Sequence, residues 1–172
     1  WDGHEPTLTS VRFAGMLQKN GFETEIFDTL DPLGNLDDLM KLDLLVFCWT
    51  GGEIPMEYTR NVSYAVGKGT GMAGCHGGMC DAFRKSTEWQ FITGGQWVSH
   101  PGGDGIKYTV NIHHGSSPII EGIEDFEVES EHYYLHIDPS IEVLASTKFP
   151  LVNFYHAANK PVQMQLAVVL PY

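Results

Sequence analysis

The run Thr70-Gly71-Met72-Ala73-Gly74-Cys75-His76-Gly77-Gly78-Met79-Cys80-Asp81-Ala82-Phe83 most constrains what this chain can fold into. It reads as a short buried strand ending in small residues, a tight glycine turn, and then a helix start. Gly74, Gly77 and Gly78 let the backbone turn sharply and approach its neighbours, because glycine has no Cβ to clash. His76 at the tip is then carried above the carboxyl end of the strand. That is the strand–turn–helix elbow with which α/β enzymes present a reactive side chain.

The segments around the elbow suit the same class. Leu8, Val11, Ala14 and Leu17 fall on one stripe of a helix over Thr7–Asn20, and Gly21 provides its stop. Thr24–Asp28 reads as a strand. A turn-rich connection over Leu30–Asp38 leads into a short helix near Leu39. Leu42–Cys48 is nearly all apolar, as expected of a central strand covered on both faces. A helix follows around Met56–Val66, ended by Gly67 and Gly69. Apolar strands alternating with helices predict right-handed βαβ units and a parallel sheet. Later, Gln96–Val98, Lys107–Ile112, Phe126–Glu131 and Glu142–Thr147 are short strand candidates between Gly, Pro and Ser clusters.

With 172 residues and no linker-like stretch, residues 1–172 read as a single domain. A doubly wound sheet calls for a strand before Trp1, and the sequence contains none; Val162–Leu170 is a candidate closing strand. The net charge of −12 opposes nucleic acid and anionic membranes. No apolar run approaches the ~20 residues that span a bilayer. Cys48, Cys75 and Cys80 form no C-x-x-C pair, and a reducing cytoplasm is the default compartment. The oligomeric state stays open, a homo-oligomer included.

In open α/β sheets, ligands bind beyond the carboxyl ends of the strands. Three loops are expected to meet there: His4-Glu5, Trp49–Glu53 and His76–Gly78. His76 suits proton transfer near neutral pH. His100, before Pro101, serves loop packing as well as it serves catalysis. By strand parity Glu131 shares the solvent face of Glu127 and Glu129, while Phe126 and Val128 face the core. Tyr133 is half core, with a hydroxyl in need of a partner. Trp49 and Trp97 either stack on sugar rings or pack in the core. His113-His114 reads as an exposed turn. His4, His76, His100 and Glu131 are the ligand types of zinc or a similar divalent ion, but lack tight spacing. The sequence by itself requires no cofactor.

The elbow Gly74-Cys75-His76-Gly77-Gly78 is similar to the G-x-nucleophile-x-G elbow of class I glutamine amidotransferase-like folds, whose middle residue is cysteine. Here Cys75 lies one position early, so its side chain is expected to point into packing. That argues against cysteine amidotransferase chemistry. Trp1-Asp2-Gly3-His4-Glu5-Pro6, the elbow, Gly94-Gly95-Gln96-Trp97-Val98-Ser99-His100-Pro101 and Ser130-Glu131-His132-Tyr133 together resemble the ThuA-like (trehalose-utilisation) family. The resemblance covers Trp1–Thr147; after Pro150 the family's Gly-Arg-Val-Phe-Tyr strand and following Gly-His are absent.

The resemblance implies a three-layer, flavodoxin-like or class I glutamine amidotransferase-like α/β fold with a mostly parallel sheet. It also implies bacterial sugar catabolism through 3-keto disaccharides. The site it implies has His76, His100 and Glu131 as acid/base residues, with His4, Trp49, Glu53, Gly77, Trp97 and Tyr133 around a small carbohydrate. A carbohydrate-active hydrolase, lyase or isomerase stands first among the functional readings. The alternatives are a non-catalytic sugar-binding or regulatory domain and a metal-dependent hydrolase.

Overall fold

The computed structural model describes residues 1–115 and 117–148, and the chain divides after Thr93 into two units. In the first, helix α1 (Pro6–Lys19) begins with proline in its first turn, where the missing N–H costs nothing. It ends at Asn20 and at Gly21, whose φ of 87° is one that glycine adopts freely. The expected apolar stripe buries no residue fully, and Leu8 and Val11 are 59% and 54% exposed.

Thr24–Asp28 forms no strand. An extended segment becomes a strand only when a neighbour takes its backbone donors and acceptors. Strand β1 (Leu44–Phe47) instead pairs in parallel with β2 (Gly71–Gly74), in a register running from Leu44↔Gly71 to Phe47↔Gly74. Of β1, Phe47 is buried and Leu44–Val46 are half-buried, short of cover on both faces.

Helices α2 (Leu36–Leu39), α3 (Met56–Gly67) and α4 (Thr87–Thr93) complete this unit. Thr59, Val62 and Ala65, three residues apart, form the buried stripe of α3. Trp89 of α4 anchors the core. Its ring meets Phe47 and Phe83 edge-on, each at 4.8 Å between centroids, and its Nε1–H donates to the Met79 carbonyl at 3.0 Å. Both the apolar body and the polar tip of the tryptophan are thereby satisfied.

The second unit begins at Gly94 and is built from antiparallel strands. Strand β3 (Gly95–Ser99) pairs with β6 (Tyr134–Ile137), with an irregularity in register between Trp97 and Ser99. Strand β4 (Ile106–Ile112) lies between β5 (Phe126–Ser130) and the short β7 (Ala145–Ser146). The sequence candidates correspond to β3, β4, β5 and β7, whereas β6 was not anticipated. Phe126, expected inside, is 45% exposed. Among the described residues, β1–β2 is the one parallel pair of strands, joined in this chain by an isolated parallel bridge between Gly51 and Ala82 in the first unit, and no helix is long and apolar enough to cross a membrane. Val162–Leu170 lies outside the described residues.

Candidate functional site

The elbow in the first unit is built by close approach. A Cβ on Gly78 would run into the Phe47 carbonyl, and one on Gly77 would strike the Thr50 side chain. Both glycines are buried, and they let the turn after β2 sit directly against the end of β1. The helix expected after the tip is a single 3-10 turn over His76–Gly78, and the next α-helix starts only at Thr87. In between, Gly51 N–H donates to the Asp81 carbonyl and Phe83 N–H to the Gly51 carbonyl, each at 3.0 Å, tying the chain back to the loop after β1.

His76 is exposed at the tip, as the sequence implied, with a left-handed φ of 51°. That conformation costs a non-glycine residue about 1–2 kcal/mol, and strain of this kind gathers at functional positions. Glu5 is likewise left-handed, at φ 46°, and there the chain turns from a 3-10 turn over Asp2–His4 into α1. The turn delivers His4 to the elbow. Its ring contacts that of His76 edge-on at 4.2 Å, and its Nδ1 hydrogen-bonds Thr50 Oγ1 at 2.7 Å. Trp1 packs edge-on against the other side of His4 at 4.6 Å.

The three loops expected to converge therefore do meet, through His4, Thr50 and His76. Thr50 was missed by sequence reasoning, although its place directly after the apolar run and Trp49 was a usable signal. Gly77 contributes by making room for Thr50. Trp49 is half-buried and packs on the core near Phe83, with 6.2 Å between ring centroids. Glu53 stands in an exposed ion pair with Lys85 at 2.7 Å, and that hydrogen bond holds its carboxyl below the usual range.

Cys75 is exposed rather than packed, which corrects the sequence expectation. The β1–β2 ladder ends at Phe47↔Gly74, one residue before it, so the regular alternation of faces that predicted packing no longer applies at Cys75. Desolvation of the sulfur, followed by nearby Cys48, nevertheless pushes its pKa up. Burial pushes Cys80 up to about 11. Neither environment favours the thiolate that a cysteine nucleophile needs.

The second unit holds the other cluster. His100 follows β3 at a turn closed by Gly103 N–H donating to the His100 carbonyl at 3.0 Å. Its Nε2 lies 3.7 Å from Glu131 Oε1, and the two side chains are only 20% and 25% exposed. The Tyr133 ring meets His100 edge-on at 4.5 Å, and Trp97 lies on another side at 5.2 Å. Among the described residues, His100 Nδ1 is buried with no hydrogen-bond partner. A lone pair left without a donor there costs less than a buried N–H without an acceptor. The favoured tautomer therefore carries its proton on Nε2, toward Glu131.

Glu131 thus departs from strand parity: Glu127 and Glu129 are exposed, whereas Glu131 is half-buried and turned to His100. The reason is local. Strand β5 stops at Ser130, and the alternation of faces stops with it. Tyr133 is 9% exposed, more deeply buried than half-core. His113, expected in an exposed turn, is exposed yet bonded to Ser146 Oγ at 2.7 Å and to the Val143 carbonyl at 3.1 Å.

Parallel strands with helices in one unit and antiparallel strands in the other make this a mixed α/β protein, with a cluster of histidines in the first unit and a histidine–carboxylate pair in the second. The family of ThuA proteins, described by trehalose utilisation, matches residues 1–167, and the chain belongs to it. Among solved structures, the chain is similar to a protein from Bacteroides uniformis ATCC 8492 described as ThuA-like. The likeness has a TM-score of 0.69 at 15% sequence identity and covers 99% of this chain and 71% of the other. At that identity the likeness speaks for the fold. No curated protein matches the chain.

Proposed function

We propose that this protein acts on a carbohydrate, of the 3-keto-disaccharide class suggested by its family, through acid/base chemistry. His100 and Glu131 act as the proton-transfer pair in this reading. The observation that carries it is the approach of His100 Nε2 to Glu131 Oε1 at 3.7 Å in a largely enclosed setting. A carboxylate beside an imidazole orients the ring, which suits a group that must both take and give a proton. Tyr133 and Trp97 offer the aromatic faces on which sugar rings pack.

His76, exposed at the tip of the elbow, is proposed as a further proton-transfer group. His4, Trp49, Glu53 and Gly77 are proposed as its surroundings at the strand ends. The same reading takes the chain as one domain of the three-layer, flavodoxin-like architecture with a mostly parallel sheet. It places the protein in the cytoplasm, where three free cysteines would stay reduced.

The test is turnover of trehalose and 3-keto-trehalose by the parent protein and by His100→Gln, Glu131→Gln and His76→Ala. Loss of a positioned acid or base typically lowers turnover by about 10²–10⁴-fold. We expect His100→Gln and Glu131→Gln to fall in that range, with activity surviving dialysis against a chelator. Chelator-sensitive turnover restored by zinc would replace this reading with a metal-dependent one. Tight sugar binding without turnover by the parent, unchanged in His76→Ala, would mark a binding domain.

A further inference from the structure

We infer that Tyr108, backed by His132 and Thr147, is a positioning residue that fixes the corner carrying Glu131 so that its carboxylate meets His100. The inference rests on the acid/base reading of that pair and extends it to residues that touch neither reacting group through their own chemistry.

Residues 131–133 belong to neither ladder around them. The β4–β5 register ends at Ile106↔Ser130, and the β3–β6 register ends on that side at Ser99↔Tyr134. The two ladders therefore stop on either side of the corner, and side-chain contacts add to what holds it. Tyr108, on β4 opposite Val128, sends its hydroxyl past the end of the ladder and donates to the Glu131 carbonyl at 3.0 Å.

The next residue locks the same ring from above. The His132 imidazole stacks on Tyr108 with 4.2 Å between centroids and 7° between planes. It is 1% exposed and hydrogen-bonds through Nε2 to Thr147 Oγ1, just beyond β7. One strand thus holds the carbonyl of Glu131, and the chain after another holds the side chain of His132. With His132 pointing into this stack, Glu131 and Tyr133 on either side of it are the residues that reach His100.

Electrostatics is consistent with the arrangement. Burial, followed by the charge of Glu131, pushes the Tyr108 hydroxyl above its ordinary range, so it remains a donor at neutral pH. Burial pushes His132 down to about 4, so the ring stacked on Tyr108 is neutral there.

The experiment is Tyr108→Phe, which keeps the stacked ring and removes only the hydroxyl, compared with Glu131→Gln and His100→Gln. We expect kcat to fall about tenfold with KM changed by less than about twofold, because a misplaced carboxylate weakens the reacting arrangement more than sugar binding. Nitrogen-edited NMR of the imidazole rings gives a readout that does not depend on turnover. The His100 resonances should move in Tyr108→Phe in the same direction as in Glu131→Gln. Thr147→Val, which removes the hydrogen bond to His132 Nε2, should give a smaller change of the same sign, and it serves if Tyr108→Phe does not fold.

A Tyr108→Phe protein with unaltered kcat and His100 resonances, beside a Glu131→Gln protein altered in both, would overturn the positioning role alone. If Glu131→Gln itself changes neither, the acid/base reading has failed and the inference falls with it.

Discussion

The two histidine clusters are held in place by opposite means. In the first unit, glycines let backbones touch, and His76 sits exposed on a strained left-handed residue beside His4. In the second, side chains do the holding: Tyr108, His132 and Thr147 brace the corner between the β4–β5 and β3–β6 ladders. Backbone contact makes a rigid support intolerant of any added atom. A side-chain brace can be weakened one hydrogen bond at a time, which allows gradual tuning. The first mode suits presenting one residue at a fixed height, and the second suits adjusting the distance between two groups.

The sharpest way to break this comparison is Gly78→Ala. Its new Cβ would meet the Phe47 carbonyl, a backbone atom that cannot swing aside. We expect a loss of about 3 kcal/mol, at the upper end of overpacking costs. Chemical denaturation would measure it, and a loss below about 1 kcal/mol would show that the elbow yields after all.

An intermediate effect belongs to the second unit and depends on pH. His132 has a folded pKa of about 4, below the unfolded value near 6.5. Between those values the unfolded chain binds the proton and the folded one does not, so stability is lost as pH falls through that window. The full contribution is roughly 3 kcal/mol, present above pH 6.5 and gone below about 4. His132→Phe keeps a stacked ring without the titration, so its stability deficit relative to the parent should narrow from pH 7 to pH 4. Parallel curves across that range would contradict the assignment.

The smallest effect sharpens the contrast from the side of the elbow. His76→Gly relieves the left-handed strain at the tip but adds freedom to the unfolded chain, for a net stabilisation of about 1 kcal/mol or less. Turnover should fall in the same variant. A protein that gains stability while losing activity would show strain held for function. A thermal midpoint that drops would mean that contacts of His76 outweigh its strain.

Much of the first unit was legible because its signals are local. The glycines of the elbow, the exposure of His76, the helix at Pro6–Lys19 and the meeting of the His4, Trp49–Glu53 and His76–Gly78 loops all follow from short-range pattern and topology. The strand reading of Thr24–Asp28 failed because its apolar residues say nothing about whether a partner strand is present. Strand β6 was missed because only His132 and Tyr133 separate Tyr134–Ile137 from the strand candidate Phe126–Glu131, with no Gly or Pro between them to mark a new start. Alternation placed Glu131 in solvent because a period-2 rule holds only while the strand continues.

By itself the sequence determined the small-residue turn that lifts His76, the absence of a cysteine at its tip, and a net charge of −12. Only the tertiary structure decided that Thr50 bonds His4 across 46 residues, that Cys75 lies exposed, and that Tyr108 reaches Glu131 across 23. The physical reason is one of range. Backbone freedom and side-chain periodicity act over a few residues and are written in order along the chain. Hydrogen bonds and ring contacts act over a few ångströms, between residues whose neighbourhood exists only after folding.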